Sequence, residues 1–220
     1  VADMAVDNPI SVTKKDQGNG LWTVVGEFGD PTTPTEASGE AGARPLAGAP
    51  GSPAASASAE ALVNHPNIKA MLEVLAFTEG TGNDYGKVVN GLVIRSPFFP
   101  DLVGKKNVSV TDLSRHPNIL VQVNSRITST AAGRYQFLKG TWDELGMPDF
   151  RPGSQDVAAV KLMKRRRMIE PLLAGDLHTA VFRGAPEWAS LPTESGASFY
   201  GGQPARTIAE IENTFNKALA

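Results

Sequence analysis

Over residues 68–75 the apolar side chains fall at Ile68, Met71, Leu72 and Leu75. That i, i+3, i+4, i+7 spacing predicts an amphipathic helix with one face on a core. Asn64 is the expected cap, Pro66 suits the first turn, and Gly80 is the expected left-handed stop. Glu79 stands just before that glycine and four residues after Leu75, so it continues the apolar stripe. Lost hydration and the negative end of the helix dipole would both hold its proton. A carboxyl still protonated near neutral pH can serve as a general acid. A glutamate at a frayed helix end would instead be solvated and idle.

Elsewhere the pattern alternates and breaks. Residues 10–13 and 21–28 read as strands around QGNG turn chemistry, although one hairpin is not stable alone. Residues 31–58 turn to Pro, Ala, Gly, Ser and Thr, an extended linker composition. The compact domain is expected over 59–220, after a short β-rich segment at 1–30 and the linker at 31–58. Asn90-Gly91 between the apolar pairs 88–89 and 92–94 predicts a two-residue hairpin. Residues 108–110 and 119–123 are further strand candidates. Thr141 with Glu144 reads as a capping box. Ser154 is the expected cap of a helix through Val157, Val160 and Met163, and Asp176 opens a short one. Thr207 with Glu210 opens the last, facing Ile208, Ile211 and Phe215 inward. Helix, small sheet, then helices is an α+β arrangement with a cleft between two lobes. Trp142 and Trp188 are expected in the core.

Composition narrows the chemistry. With 41% apolar residues the chain can bury a sizeable core, yet it has no run of 18 apolar residues that would insert in a membrane. The N-terminal residues lack the pattern of a signal peptide. Cysteine is absent, which removes disulfides and thiolate chemistry. His65, His116 and His178 show no metal-ligand spacing. Residues 1–60 carry three basic and eight acidic side chains, net −5, and residues 61–220 eighteen and fifteen, net +3. A mildly basic domain suits a polyanionic surface. The KRRR run at 164–167 reads as a solvated helix face, and no aromatic stripe accompanies it as a nucleic-acid groove requires.

At 129–137, STAAGRYQF, small residues and Gly133 permit a close turn, followed by a planar cation, an aromatic and an amide. Such a set suits a sugar. FTEGT at 77–81, NDYG at 83–86, STAAGRYQF, TWDELG, FRPGSQDVAA at 150–159 and EWASLP at 187–192 occur in one order. As an ordered set over residues 66–218 they strongly resemble the lambda-type phage endolysins. The resemblance implies a lysozyme-like α+β fold: a helical lobe, a small β lobe and a cleft between them. It implies cleavage of the β-1,4 bond between N-acetylmuramic acid and N-acetylglucosamine in peptidoglycan, with no metal or cofactor. It matches Glu79 to the family's catalytic glutamate, and places Asp84, Tyr85, Ser129, Thr130, Arg134, Tyr135 and Gln136 in motifs around the glycan. This chain departs from the family in a longer segment between Asp84 and Thr128, including RSPFFPDLVGKKNVSV, and residues 1–60 have no counterpart.

Glycoside hydrolases usually work with two carboxylates, and here one is well placed. A single acid suffices where the C6 hydroxyl of N-acetylmuramic acid attacks C1, giving a 1,6-anhydro product. With Asp84 positioning water, the same site would be a hydrolytic lysozyme. A third reading is a structural virion protein with an inactive lysozyme-like domain. Residues 1–60 are the expected docking arm for a phage structural protein. A phage-encoded protein without a signal peptide would reach the wall on the virion, or by release from the host cytoplasm to the periplasm.

Overall fold

The computed structural model describes residues 11–16, 22–27, 57–200 and 205–220. The chain divides into two units, Val1–Ala47 and Gly48–Ala220. In the first, β1 (Ser11–Asp16) pairs antiparallel with β2 (Trp22–Glu27), in a register running from Ser11 opposite Glu27 to Asp16 opposite Trp22. The QGNG turn and residues 31–56 of the expected linker lie outside the described residues.

The second unit opens with α1 (Ala59–Leu62), whose first turn is capped by the Ser58 hydroxyl accepting from the Ala61 amide. The predicted central helix is α2 (Pro66–Thr78). Its cap is His65 rather than Asn64: Pro66 fixes the first helical φ, so the residue before it takes the cap position, and His65 Nδ1 accepts from the Asn67 amide at 3.2 Å. Gly80 ends the helix with φ +67°. The amides of Thr81 and Gly82 turn back to the Ala76 carbonyl at 3.0 and 3.3 Å. Burial of α2 is broader than one stripe, because Ala70, Val74 and Ala76 are enclosed along with Ile68, Met71 and Leu75.

A three-stranded antiparallel sheet follows, in the order β3 (Leu92–Arg95), β4 (Leu120–Gln122), β5 (Thr128–Ser129). The Asn90-Gly91 hairpin does not form. Val88 bridges to Ala132 while β3 pairs with β4, so the two apolar pairs run to different partners. Gly91 answers another need: its φ is +146°, and a Cβ there would lie 2.4 Å from the Gln122 carbonyl oxygen. The strand expected at 108–110 reduces to one bridge, Ser109 to Lys87. This lobe has its own small core of Val88, Val93, Val108, Val110, Ile119 and Val121.

The helical lobe is completed by α3 (Lys139–Leu145), α4 (Pro152–Arg165), α5 (Ile169–Leu173), α6 (Leu177–Gly184) and α7 (Ile208–Leu219). Two expected caps are misplaced. Thr141 lies inside α3, which begins two residues earlier and receives its polar partner from afar: Thr130 Oγ1 accepts from the Lys139 amide at 3.1 Å. Ser154 sits within α4, whose start is set by Pro152, and donates to Asp149 Oδ1 at 2.7 Å. Asp176 and the Thr207–Glu210 capping box start α6 and α7 as expected. Helix α7 packs along α2, with Ile211 and Phe215 buried. Trp142 and Trp188 are both in the core. Leu113 packs against both hydrophobic clusters and joins the lobes.

Candidate active site

Glu79 is the C-cap residue of α2. The helix carries it to the edge of the helical core, where it stays partly exposed as a residue while its carboxyl loses most of its water. That desolvation raises its pKa from the ordinary 4.5 to about 7, against the opposing effect of a hydrogen bond from Ser190. The Ser190 hydroxyl donates to Glu79 Oε1 at 2.6 Å, and it also lies 3.0 Å from Thr78 Oγ1. The loop bearing Ser190 is anchored on both sides by buried residues, Trp188 and Leu191. Trp188 Nε1 donates to the Tyr135 carbonyl at 3.3 Å. Sequence reasoning noted the EWASLP motif but did not single out Ser190; a hydroxyl between two large apolar residues was the available signal.

The remaining candidate residues have other geometries. Asp84 Oδ1 accepts from the Gly86 amide at 2.9 Å and from the Ser109 hydroxyl at 2.8 Å, which closes a turn into the β lobe. Ser129 Oγ accepts from the Ala131 amide, and Thr130 serves α3. Arg134 is buried, and its donors are engaged inside the protein. Nε reaches the Gly82 carbonyl at 2.9 Å, Nη1 the Tyr135 hydroxyl at 3.0 Å, and Nη2 Glu73 at 2.6 Å and Asn83 at 3.2 Å. Tyr85 and Tyr135 both donate to Asp156 Oδ1, at 2.9 and 2.6 Å. Burial, reinforced by the Asp156 charge, pushes both phenols up. Tyr85, Arg134, Glu73 and Asp156 line a hollow of about 470 Å³ whose lining does not include Glu79. Gln136, at φ +52°, turns its amide nitrogen inward to the Gly133 carbonyl at 2.9 Å.

Gln155 holds this arrangement together. Its side chain is fully buried. Its Oε1 accepts from the Arg134 amide at 2.9 Å, and its Nε2 donates to the carbonyls of Tyr85 and Phe150 at 2.9 and 2.6 Å. The close turn at Gly133 is required by the same residue: φ is +82°, and a Cβ would lie 2.3 Å from Gln155 Oε1. The STAAGRYQF and FRPGSQDVAA motifs are thus two halves of one buried joint beneath the end of α2, where the Thr81 hydroxyl donates to the Arg134 carbonyl at 2.6 Å.

Among the described residues no group of three potential ligands could hold a metal ion, and no helix is long and apolar enough to cross a membrane. Three residues of the KRRR run have local partners: Lys164 donates to the Ala57 carbonyl, and Arg165 and Arg166 pair with Glu187 at 2.9 Å.

A helical lobe around a buried central helix, a small antiparallel sheet and a desolvated glutamate where that helix ends define a lysozyme-like α+β protein. The chain belongs to the endolysin family, whose model matches residues 69–220, and is a phage-type, cell-wall-degrading protein of that class. It is 34% identical over 170 residues to the endolysin of Escherichia phage P2, covering 70% of this chain and 93% of that one. To the endolysin of Escherichia phage lambda it is 40% identical over 128 residues, 56% of this chain and 76% of the other. The solved structure of bacteriophage lambda lysozyme complexed with a chitohexasaccharide superimposes with a TM-score of 0.56 at 32% identity, over 70% of this chain and 94% of that one. Another structure of lysozyme from bacteriophage lambda gives 0.50 at 30% identity, over 70% and 90%.

Proposed function

We propose that this protein is a lytic transglycosylase that cleaves the β-1,4 bond between N-acetylmuramic acid and N-acetylglucosamine, with Glu79 as its sole general acid and base. The observation that carries this reading is the desolvated Glu79 carboxyl, its pKa raised to about 7, at the end of the central helix. Protonated, Glu79 gives its proton to the glycosidic oxygen as the bond to C1 breaks. The C6 hydroxyl of the muramic acid then attacks C1, and the Glu79 carboxylate takes the proton that hydroxyl loses. One bond breaks, one forms, the acid is regenerated, and no water is consumed. The engagement of Asp84 Oδ1 in a turn supports a one-carboxylate mechanism, and the chitohexasaccharide in the lambda lysozyme structure supports a β-1,4 glycan as the ligand class. Gln136 keeps its place in this proposal as a sugar contact through its amide oxygen. Arg134 and Tyr135 act from behind, holding the turn that carries Gln136.

The test is a pair of variants. Glu79→Gln keeps shape but cannot donate the proton, so murein cleavage should fall by at least about 10²-fold, the lower end for general acid–base catalysis. Asp84→Asn should cost less than about tenfold on the same scale. Equal loss in both would favour a hydrolytic, two-carboxylate site.

For delivery to the wall, we infer that the acidic N-terminal residues attach the enzyme to a phage structural protein. Their net charge of −5 over residues 1–60 contrasts with +3 in the remainder.

A further inference from the structure

We infer that Ser190 is a positioning residue that steers the acid proton of Glu79 onto Oε2 and stabilises the carboxylate once that proton has left. This rests on the reading of Glu79 as the general acid.

The argument is one of hydrogen-bond roles. Thr78 Oγ1 lies 3.1 Å from the Leu75 carbonyl, which can only accept, so the Thr78 hydroxyl donates there. Its oxygen is left able to accept. Ser190 has one proton and two acceptors within reach, Glu79 Oε1 at 2.6 Å and Thr78 Oγ1 at 3.0 Å. While Ser190 donates to Oε1, a proton on that oxygen would face the serine hydrogen. The acid proton therefore sits on Oε2, which has no hydrogen-bond partner among the described residues. After transfer to the glycosidic oxygen, the Ser190 bond becomes charge-assisted and strengthens. Thr78 Oγ1, 3.0 Å from the serine oxygen, is a second acceptor that competes with Oε1 for the same hydrogen, and it competes least when Glu79 is charged. A residue that must be acid first and base second needs a partner suited to both states, and a serine that donates to Oε1 in each of them meets that need. The serine hydroxyl is fixed in place because Trp188 and Leu191 on either side are buried, and the Ser190 carbonyl accepts from the Arg206 amide at 3.0 Å.

The two hydroxyls predict shifts of opposite sign. Ser190→Ala removes the donor to the carboxylate, so Glu79 holds its proton to higher pH. Thr78→Val removes the competing acceptor and commits Ser190 to Glu79, so the carboxylate forms at lower pH. Full-length wild type, Ser190→Ala, Ser190→Thr, Thr78→Val and Glu79→Gln should be assayed on soluble murein glycan strands from about pH 4 to about pH 9, with Tm recorded at each pH. The alkaline limb of kcat should move up in Ser190→Ala and down in Thr78→Val, each by roughly half a pH unit or more. Ser190→Ala should lose roughly tenfold in kcat with KM within about twofold, and Ser190→Thr should restore the wild-type limb. Limbs that coincide in all folded variants, or that move the same way in Ser190→Ala and Thr78→Val, would overturn the role of Ser190 and leave that of Glu79 standing. A Glu79→Gln as active as wild type would remove the general-acid reading and this inference with it.

Discussion

At the scale of single residues, the environment of Glu79 makes a thermodynamic prediction separate from catalysis. Its folded-state pKa of about 7 lies above the ordinary 4.5. A raised pKa means stability that is fully present below pH 4.5 and is lost as pH rises through 7. Glu79→Gln carries no such charge, so it should match wild type near pH 4 and exceed it near pH 8 by on the order of 1–3 kcal/mol. Denaturant titration at the two pH values checks this; a variant less stable at the higher pH would contradict it. The position of Glu79 was legible in the sequence because helical spacing carries it onto the apolar stripe. Arg134 was harder to read. A guanidinium beside an aromatic and an amide suits a sugar on paper, but Glu73, Asn83 and the Gly82 carbonyl are distant or loop-borne partners that no local spacing announces. Ser190 was missed for the same reason, since its partner lies 111 residues away.

Among elements, the helices were legible where local chemistry starts and stops them, as at Gly80, Asp176 and Thr207. Two caps were misread because a neighbouring proline, Pro66 or Pro152, fixes the helix start, and a third because a distant group took over a local task. Helix α3 has no local side-chain cap, because Thr130 at the end of the β lobe accepts from the Lys139 amide. Thr130→Ala should therefore destabilise the domain by about 0.5–2 kcal/mol, the usual cost of losing a cap, while Thr141→Ala should cost less. Chemical denaturation of both variants decides it, and the reverse order would mean the local capping box operates after all. Gly91 teaches a similar lesson. Asn-Gly signals a hairpin only when the flanking strands pair with each other; here the glycine is needed because the Gln122 backbone passes close by.

At the largest scale, the two-lobed architecture of residues 57–220 followed from the order of helices and strands together with the ordered motifs, and the joint between its lobes did not. That joint includes buried His116, whose Nε2 bonds the Phe137 carbonyl at 2.9 Å and whose ring meets Phe150 at 4.9 Å between centroids. Nothing in its spacing marks a core histidine. The proposed division of labour along the chain also belongs at this scale. Residue Ala57 accepts from Lys164 and Ser58 caps α1, so the domain should be cut before them. Deletion of residues 1–56 should leave murein cleavage within about twofold and abolish attachment to virions in a co-sedimentation assay. A truncated protein that melts early or loses cleavage would refute that division.

The central claim, one carboxyl and a nucleophile supplied by the substrate, is tested most directly by the mass of the product. Murein digested by the wild-type protein and analysed by mass spectrometry should yield fragments ending in 1,6-anhydro-N-acetylmuramic acid, each lighter by one water than its hydrolytic counterpart. Fragments ending in reducing N-acetylmuramic acid, carrying oxygen from labelled water, would contradict it.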